Sequence, residues 1–324
     1  MRAALIRELG ALPELGEAPD PTRGEGQTLI EVLAAPLNPI DVNVGSGRFF
    51  GGTPALPYVP GNEAVGRVLE SDAFARGALV YAGMEGMGLR RDGGMAEMVV
   101  AQDDGTVELP ADADPAVAAS LGVAGLAGWL PLAWRAPVRP GETVLVLGGT
   151  GTLGLIAVQA AKALGAGRVV AAGRRQEGLD RALEHGADAV VRIEHGEYES
   201  LGGQLREACG GEGPTLVVDP LWGEPFVAAL EACANGARIV QLGQSAGPQA
   251  VVPSGLVRGK QVDILGFTNF AVPRDELNRA LLDLIAHARA GRIRFDLERV
   301  PLAGIADAWS RQAHGSDTKL VLVP

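Results

Sequence analysis

The sequence predicts an α/β protein of two modules, a partly closed β-barrel-like module and a doubly wound parallel sheet. Three observations predict it. Residues 1–115 hold short apolar strand candidates broken by Gly and Pro clusters. From Thr143 onward, apolar runs of strand length alternate with helix-length segments. A glycine-rich turn, Leu147-Gly148-Gly149-Thr150-Gly151-Thr152-Leu153-Gly154, joins the first of those runs to the first helix.

In the first module the strand candidates are Thr28–Leu33, Ala64–Leu69 and Met95–Val100. Gly51-Gly52-Thr53-Pro54 and Pro57-Tyr58-Val59-Pro60-Gly61 punctuate them. The texture changes near Pro115, and residues 115–135 carry helix-like apolar runs. Beyond them, the strands read as Val144–Leu147, Arg168–Ala172, Ala189–Val191, Leu216–Asp219, Arg238–Leu242 and Val262–Gly266. Helices read as Leu153–Leu164, Gly178–His185 and Pro225–Ala234 between them. Two more helices are expected over 274–290 and 303–313. The last strand, Lys319–Val323, has no parallel partner left, so it is expected to return to the first module. The expected division is therefore 1–120 with 267–324, interrupted by 121–266.

Bulk properties exclude several classes. With 324 residues, 47% of them hydrophobic, the chain can bury a core for each module. A net charge of −11 repels phosphate backbones at long range, so nucleic acid is not an expected partner. Cys209 and Cys233 are the two cysteines, too few and too far apart for a zinc knuckle, and they read as small buried apolar residues. The first residues hold no hydrophobic signal core, and the apolar run Ala119–Trp134 is broken by glycines and Pro131. A cytoplasmic protein with no membrane partner is expected.

Gly149, Gly151 and Gly154 fit G-x-G-x-x-G after a buried strand and before a helix. In that pattern the first glycine permits a tight turn, the second lets backbone approach a pyrophosphate, and the third lets helix and strand pack closely. The helix start offers N–H groups to the anion, so Thr150, Thr152 and Leu153 join the expected site. An NAD site ordinarily ends its second strand on Asp or Glu. Here that position reads Gly173-Arg174-Arg175. Two guanidiniums can grip a 2′-phosphate, which points to NADPH; the alternative is solvated surface charge in an Arg-rich chain.

These motifs together resemble the medium-chain dehydrogenase/reductase superfamily over essentially the whole chain. The resemblance rests on Leu37-Asn38-Pro39-Ile40-Asp41, Ser46-Gly47, Leu56-Pro57-Tyr58-Val59-Pro60-Gly61-Asn62-Glu63, Gly141–Val146, the glycine loop, Ala157–Ala166, Gly291-Arg292-Ile293 and Lys319–Leu322. It implies a GroES-like, partly open β-barrel catalytic domain and a Rossmann cofactor domain. Zinc-dependent members place Cys where Asn38 stands, His where Asn62 stands, a further Cys near Val123, and a four-cysteine lobe between Ala82 and Gly94. None of these ligands is present, so the resemblance is to the zinc-free quinone oxidoreductase branch, with no metal expected. Many relatives also carry a tyrosine after the Asp, where this chain has Asn43, and Phe49-Phe50 replaces another aromatic hydroxyl.

What the resemblance implies is NADPH-dependent reduction of a quinone or enone by direct hydride transfer, with the nicotinamide between the modules. Negative charge then develops on a substrate oxygen, which needs donors. Asn38, Tyr58 and Asn62, with Asp41 of the same motif, are the catalytic candidates. Gly125, Gly243-Gln244-Ser245, Phe267-Thr268-Asn269 and Lys319 are the further cofactor candidates, Lys319 at a phosphate or else as surface charge. A trans-acting enoyl-thioester reductase and a non-catalytic NADPH-binding sensor or partner remain alternatives. Val262–Gly266 reads as an apolar edge strand that relatives pair across a two-fold axis, so a homodimer is expected.

Overall fold

The computed structural model describes every residue except Phe50, Glu197 and Asp317. Phe50, one of the two phenylalanines noted above, lies outside the described residues. In chain order the first elements are β1 (Arg2–Leu5), β2 (Glu14–Glu17), β3 (Gln27–Pro36), α1 (Pro39–Gly45), β4 (Glu63–Glu70), β5 (Leu79–Gly83), β6 (Met98–Gln102) and β7 (Thr106–Glu108). Helix α2 (Pro115–Ser120) and α3 (Leu126–Leu130) follow, joined and continued by wider turns at Leu121–Gly125 and Pro131–Arg135. The run Pro115–Arg135 is long and apolar enough to cross a membrane by length and composition alone. Most of it is buried inside the protein, as for a core helix.

Then come β8 (Thr143–Leu147), α4 (Thr152–Ala163), β9 (Arg168–Gly173), α5 (Gln176–Glu184), β10 (Ala189–Arg192), α6 (Leu201–Ala208), β11 (Leu216–Asp219), α7 (Gly223–Ala232), β12 (Arg238–Gln241), α8 (Ser254–Lys260) and β13 (Asp263–Gly266). The chain closes with α9 (Arg274–Arg289), β14 (Leu297–Pro301), α10 (Ile305–Ala313) and β15 (Lys319–Val323).

Two compact units result. One is Met1–Leu126 with Val272–Arg289 and Asp296–Pro324; the other is Ala127–Ala271 with Ala290–Phe295. The limits differ from those expected at each junction, for local reasons. The Val123 N–H is tied to Glu63 of β4, which keeps 121–126 in the first unit. The Phe267 N–H continues the β12–β13 ladder onto Gln241, which keeps 267–271 in the second. The buried Gln159 amide clasps Arg294 through both its N–H and its carbonyl, which holds 290–295 against α4.

The first unit is an open, GroES-like β-structure. Its large sheet runs β14-β15-β3-β4-β5-β7, with β6 on β3. The last strand does return to the N-terminal module, as Val321 pairs with Pro36 and Leu322 with Ala35 of β3. Ile6, Ile30, Leu37, Met87, Met95 and Trp309 are among its core residues. The second unit is a six-stranded, all-parallel Rossmann sheet ordered β10-β9-β8-β11-β12-β13. Strand order reverses between β8 and β11, the place where such sheets open a crevice beyond their carboxyl ends. β13 is an edge strand, as the sequence pattern led one to expect.

Helices α1, α6 and α8 were not anticipated. For α1 a signal existed. Asn38 is its N-cap, Pro39 its first residue and Asp41 its third. The Asp41 carboxylate accepts the Asn38 backbone N–H at 2.8 Å, half of a capping box.

Candidate active site

The glycine loop sits between β8 and α4. Gly148, not Gly149, adopts the left-handed turn, with φ of 63°. Gly149 is needed for packing instead, since a Cβ there would lie 2.7 Å from the Ala171 side chain of β9. A Cβ on Gly154 would stand 2.2 Å from the Gly148 carbonyl oxygen, so only glycine lets α4 start so close to the strand. Gly151 differs from both. Nothing lies within 4 Å of a Cβ built on it. It is the N-cap of α4 and no side chain caps the helix, so the first-turn N–H groups of Thr152 and Leu153 stay available to an anion.

Thr150 links this loop to the end of β9. It is buried, and a Cβ on Gly173 or Gly178 would come within 2.4 or 2.5 Å of its side chain. Arg174 and Arg175 therefore leave β9 right beside the phosphate loop, both exposed. Arg175 is the N-cap of α5. The other cofactor candidates fall on strand ends and turns. Gly243 packs on the Pro220 carbonyl, and Ser245 bonds that same oxygen through its N–H and its hydroxyl, while Gln244 is exposed. Phe267 packs edge-on against Trp134 with ring centroids 6.5 Å apart. The Thr268 hydroxyl accepts the Phe270 N–H, and Asn269 is buried. Gly125 is buried in the first unit among Leu121 and Leu284.

Three of the catalytic candidates, Asn38, Asp41 and Asn62, join Glu63 and Lys319 in one buried polar cluster, entirely within the first unit. Asn38, Asp41, Asn62, Glu63 and Lys319 are each less than 5% exposed. The Asn38 amide donates to Glu63 Oε1 at 2.8 Å and accepts from Lys319 Nζ at 2.5 Å. Lys319 also donates to the Leu37 carbonyl at 3.0 Å. Glu63 Oε2 accepts from the Tyr81 hydroxyl at 2.8 Å and the Val123 N–H at 2.6 Å. Asp41 Oδ1 accepts from both the backbone and the side-chain N–H of Asn62, at 3.0 and 2.9 Å. A Cβ on Gly122 would lie 1.9 Å from Glu63 Oε2, so glycine is what admits the carboxylate.

This geometry corrects two expectations. Lys319 does not lie at the surface: β15 buries it against Asn38. Asn38 is not an open donor, since Lys319 and Glu63 occupy both ends of its amide. Asn62 has its N–H groups on Asp41 while its Oδ1 is buried without a partner among the described residues. Tyr58 is 2% exposed and its hydroxyl likewise has no partner among them. Backbone bonds in both directions to Ile6 hold Tyr58 in place, and the loop 92–95 clamps the segment Val59–Gly61.

Burial dominates the electrostatics. It pushes Glu63 up to about 7, against the pull of the Lys319 ammonium and the Tyr81, Val123 and Asn38 donors. It raises Asp41 as well, opposed by the Asn62 and Asn38 bonds and by Lys319. Lys319 is lowered to about 8 by the same desolvation, opposed by Glu63 and Asp41. Tyr58 is raised by burial and by the Asp41 charge, so its hydroxyl keeps its proton. In the second unit, Asp219 at the end of β11 is pushed by burial up to about 6; its Oδ1 accepts the Leu221 and Trp222 N–H groups.

Glu63, Tyr81, Gly122 and Asp219 were missed as site residues. The signal for three of them is a polar group set in an apolar strand, as in Asn62-Glu63-Ala64-Val65, Leu79-Val80-Tyr81-Ala82 and Leu216-Val217-Val218-Asp219. Gly122 carried no signal, because its need arises from a carboxylate 59 positions away in the chain.

An open GroES-like β-structure and a Rossmann sheet with a phosphate loop define the two-domain dehydrogenase/reductase class. Family models agree: an alcohol dehydrogenase GroES-like domain matches residues 24–111, and a zinc-binding dehydrogenase domain matches 152–287. Human quinone oxidoreductase is 28% identical over an alignment of 334 positions, covering 100% of this chain and 98% of that protein. Quinone oxidoreductase-like protein 2 of Bos taurus is 31% identical over 258 residues, 76% of this chain and 71% of that one. A mycobacterial structure complexed with NADPH superposes with a TM-score of 0.88 at 28% identity, over 100% of each chain. The chain thus belongs to the quinone oxidoreductase-like family of the medium-chain dehydrogenase/reductase superfamily. It is an oxidoreductase.

One of those models carries zinc in its name, and the residues here do not fit that metal. Where the resemblance places thiolate and imidazole, Asn38 is bonded to an ammonium and Asn62 to a carboxylate. Among the described residues, no group of three His, Cys, Asp or Glu side chains is gathered for a metal.

Proposed function

We propose that this oxidoreductase reduces quinones or α,β-unsaturated carbonyl compounds with NADPH, by direct hydride transfer and without zinc. The end of β9 carries the reading. Glycine, not a carboxylate, stands at 173 against Thr150 of the phosphate loop, and the exposed Arg174 follows it. A carboxylate there would hold ribose hydroxyls and repel a 2′-phosphate; a guanidinium grips the phosphate.

When bound, the cofactor supplies a hydride, and the protein supplies orientation and electrostatics. The first-turn N–H groups of α4 hold the pyrophosphate, and Arg174, seconded by Arg175, the 2′-phosphate. In the first unit, the Tyr58 hydroxyl is the donor for the developing substrate oxyanion. It keeps its proton, and unlike the Asn38 and Asn62 amides it is not spent on a neighbouring carboxylate. Lys319 on Asn38 supports the zinc-free reading. A cytoplasmic setting and a homodimer complete it. The edge strand β13 leaves Asp263, Ile264 and Gly266 exposed for pairing with a second copy, and a solution mass near twice 33.4 kDa checks this.

Loss of Arg174 tests the carrying observation. A charge-assisted hydrogen bond is worth about 1.5–3 kcal/mol, so R174A should weaken NADPH by about 10- to 100-fold and leave NADH unchanged. Equal loss for both cofactors rejects the assignment. NADPH oxidation with 9,10-phenanthrenequinone, 1,4-naphthoquinone, 2-cyclohexenone and a crotonyl thioester defines the substrate class. Turnover of the thioester alone would make the protein an enoyl reductase, and tight NADPH binding with no turnover a sensor.

A further inference from the structure

We propose that Lys319 is a positioning residue: its ammonium fixes the Asn38 amide and, through Asp41, orients Asn62. The activity part of this inference rests on the reduction proposed above; the linkage itself is a property of the unliganded chain.

The register of the last strand delivers the lysine. β15 runs antiparallel to β3, pairing Val321 with Pro36, and the Leu37 N–H donates to the Leu320 carbonyl at 2.9 Å. Lys319 is thereby set beside Leu37 and Asn38, 281 positions earlier in the chain. With Nζ on Asn38 Oδ1, the amide nitrogen must face Glu63 Oε1. A flipped amide would put N–H groups against an ammonium and an oxygen against a carboxylate, two repulsive contacts in a dry site. One cation therefore decides which way Asn38 points.

From Asn38 the order passes through the backbone. Its N–H donates to Asp41 Oδ2, and Asp41 Oδ1 takes both N–H groups offered by Asn62. Neither Asn62 Oδ1 nor the hydroxyl of Tyr58, which feels the Asp41 charge, has a hydrogen-bond partner among the described residues. The charged and titratable groups facing this chain of bonds are Asp41 from α1, Glu63 from β4, Tyr81 from β5, Tyr58 from the 57–61 segment and Lys319 from β15, with Arg274 of α9 acting on Tyr81 from further off. Two buried carboxyl groups thus share a single ammonium. Without it, both carboxyls would take up protons at higher pH. A protonated Asp41 would no longer accept from Asn38 and Asn62 together.

The test compares wild type, K319M and K319R by two readouts. The first is the side-chain amide NMR resonance of Asn62, assigned by its loss in N62D and followed against pH without cofactor. In K319M this resonance should shift, and its titration should move up by about one pH unit or more, since an opposite charge ordinarily lowers a carboxyl by that amount. The second is kcat, kcat/KM and their pH profiles with a quinone, beside the NADPH Kd. K319M should lose about 10- to 100-fold in kcat through misplacement, with its acid limb raised and NADPH affinity kept. K319R, with the same charge at a different point, should shift the Asn62 resonance and leave its titration where wild type has it. An Asn62 resonance identical to wild type in a folded K319M overturns the proposal. So does a loss confined to NADPH affinity. Should K319M not fold, an unmoved Asn62 resonance in K319R overturns it equally. If the wild-type protein reduces nothing, the NMR readout still decides the linkage, and only the assigned reaction falls.

Discussion

The phosphate loop of the second unit and the polar cluster of the first use their hydrogen-bonding groups in opposite ways. The loop is backbone. Its N–H groups at the start of α4 have no side-chain cap, Gly149 and Gly154 let strand and helix crowd together, and Gly151 leaves the approach open. The cluster is side chain. Asn38, Asp41, Asn62, Glu63, Tyr81 and Lys319 largely satisfy one another out of contact with water. A site that receives a large anion must leave donors unspent. A site that holds charges in a low-dielectric interior must spend nearly all of them, because each unpaired group is costly. The few unspent groups then stand out, and among the described residues of the first unit Tyr58 Oη and Asn62 Oδ1 are two of them, beside two nitrogens of the Arg91 guanidinium.

The contrast breaks most readily at Gly122. A Cβ there meets Glu63 Oε2 at 1.9 Å, so G122A must push the carboxylate off the Val123 N–H. Disrupting a buried, hydrogen-bonded charge should cost about 3–5 kcal/mol, read from chemical denaturation. A G122A protein as stable as wild type would mean that the cluster is loosely held.

A smaller effect separates two glycines of the same loop. G154A should destabilise by about 1–3 kcal/mol, because its Cβ meets the Gly148 carbonyl and backbone must move. G151A meets nothing, so unfolding should change by less than about 0.5 kcal/mol. Its NADPH and NADH affinities should nevertheless fall together, because the methyl group occupies the approach to the pyrophosphate. Titration calorimetry beside thermal unfolding would show both; a G151A variant with normal affinity for both cofactors would remove the loop from the binding site.

The smallest effect concerns Asp219, a buried carboxyl of the second unit with one oxygen bonded and the other without a partner among the described residues. Its folded value is raised from 3.8 to about 6, so the folded state holds the proton more tightly than the unfolded chain does. Stability therefore falls as pH rises through that window, and the full cost is present above pH 6. D219N keeps an acceptor for Leu221 and Trp222 and loses the charge. It should be more stable than wild type at pH 7, by about 1–2 kcal/mol, with the advantage gone near pH 4. A constant difference across that range would show that the carboxyl does not titrate as burial dictates.

Legibility followed the same divide. The glycine loop, its strand and its helix were readable because their physics is local: an apolar run, a turn and a helix start within one stretch of chain. Even there the tight turn falls on Gly148 and not on Gly149, which is needed instead for a contact with Ala171 on another strand. Asn38, Asp41, Tyr58 and Asn62 were readable as motif positions, but not as donors or acceptors with particular partners. Helix α1 was overlooked although Asn38-Pro39-Ile40-Asp41 spells out its cap.

From the sequence alone came the two modules, the parallel order of apolar strands, the return of Lys319–Val323 to the N-terminal module, and a second strand ending on arginines instead of an acid. These depend on periodicity and on residue types near one another in the chain. The tertiary structure decided the rest. It buried Lys319 as a counter-ion for residues at the other end of the chain, enlisted Glu63, Tyr81 and the Val123 N–H, and left the Tyr58 hydroxyl without a partner among the described residues. The reason is that burial sets the charge state and the partner of a polar side chain, and burial is the sum of contacts from strands and helices far apart in sequence.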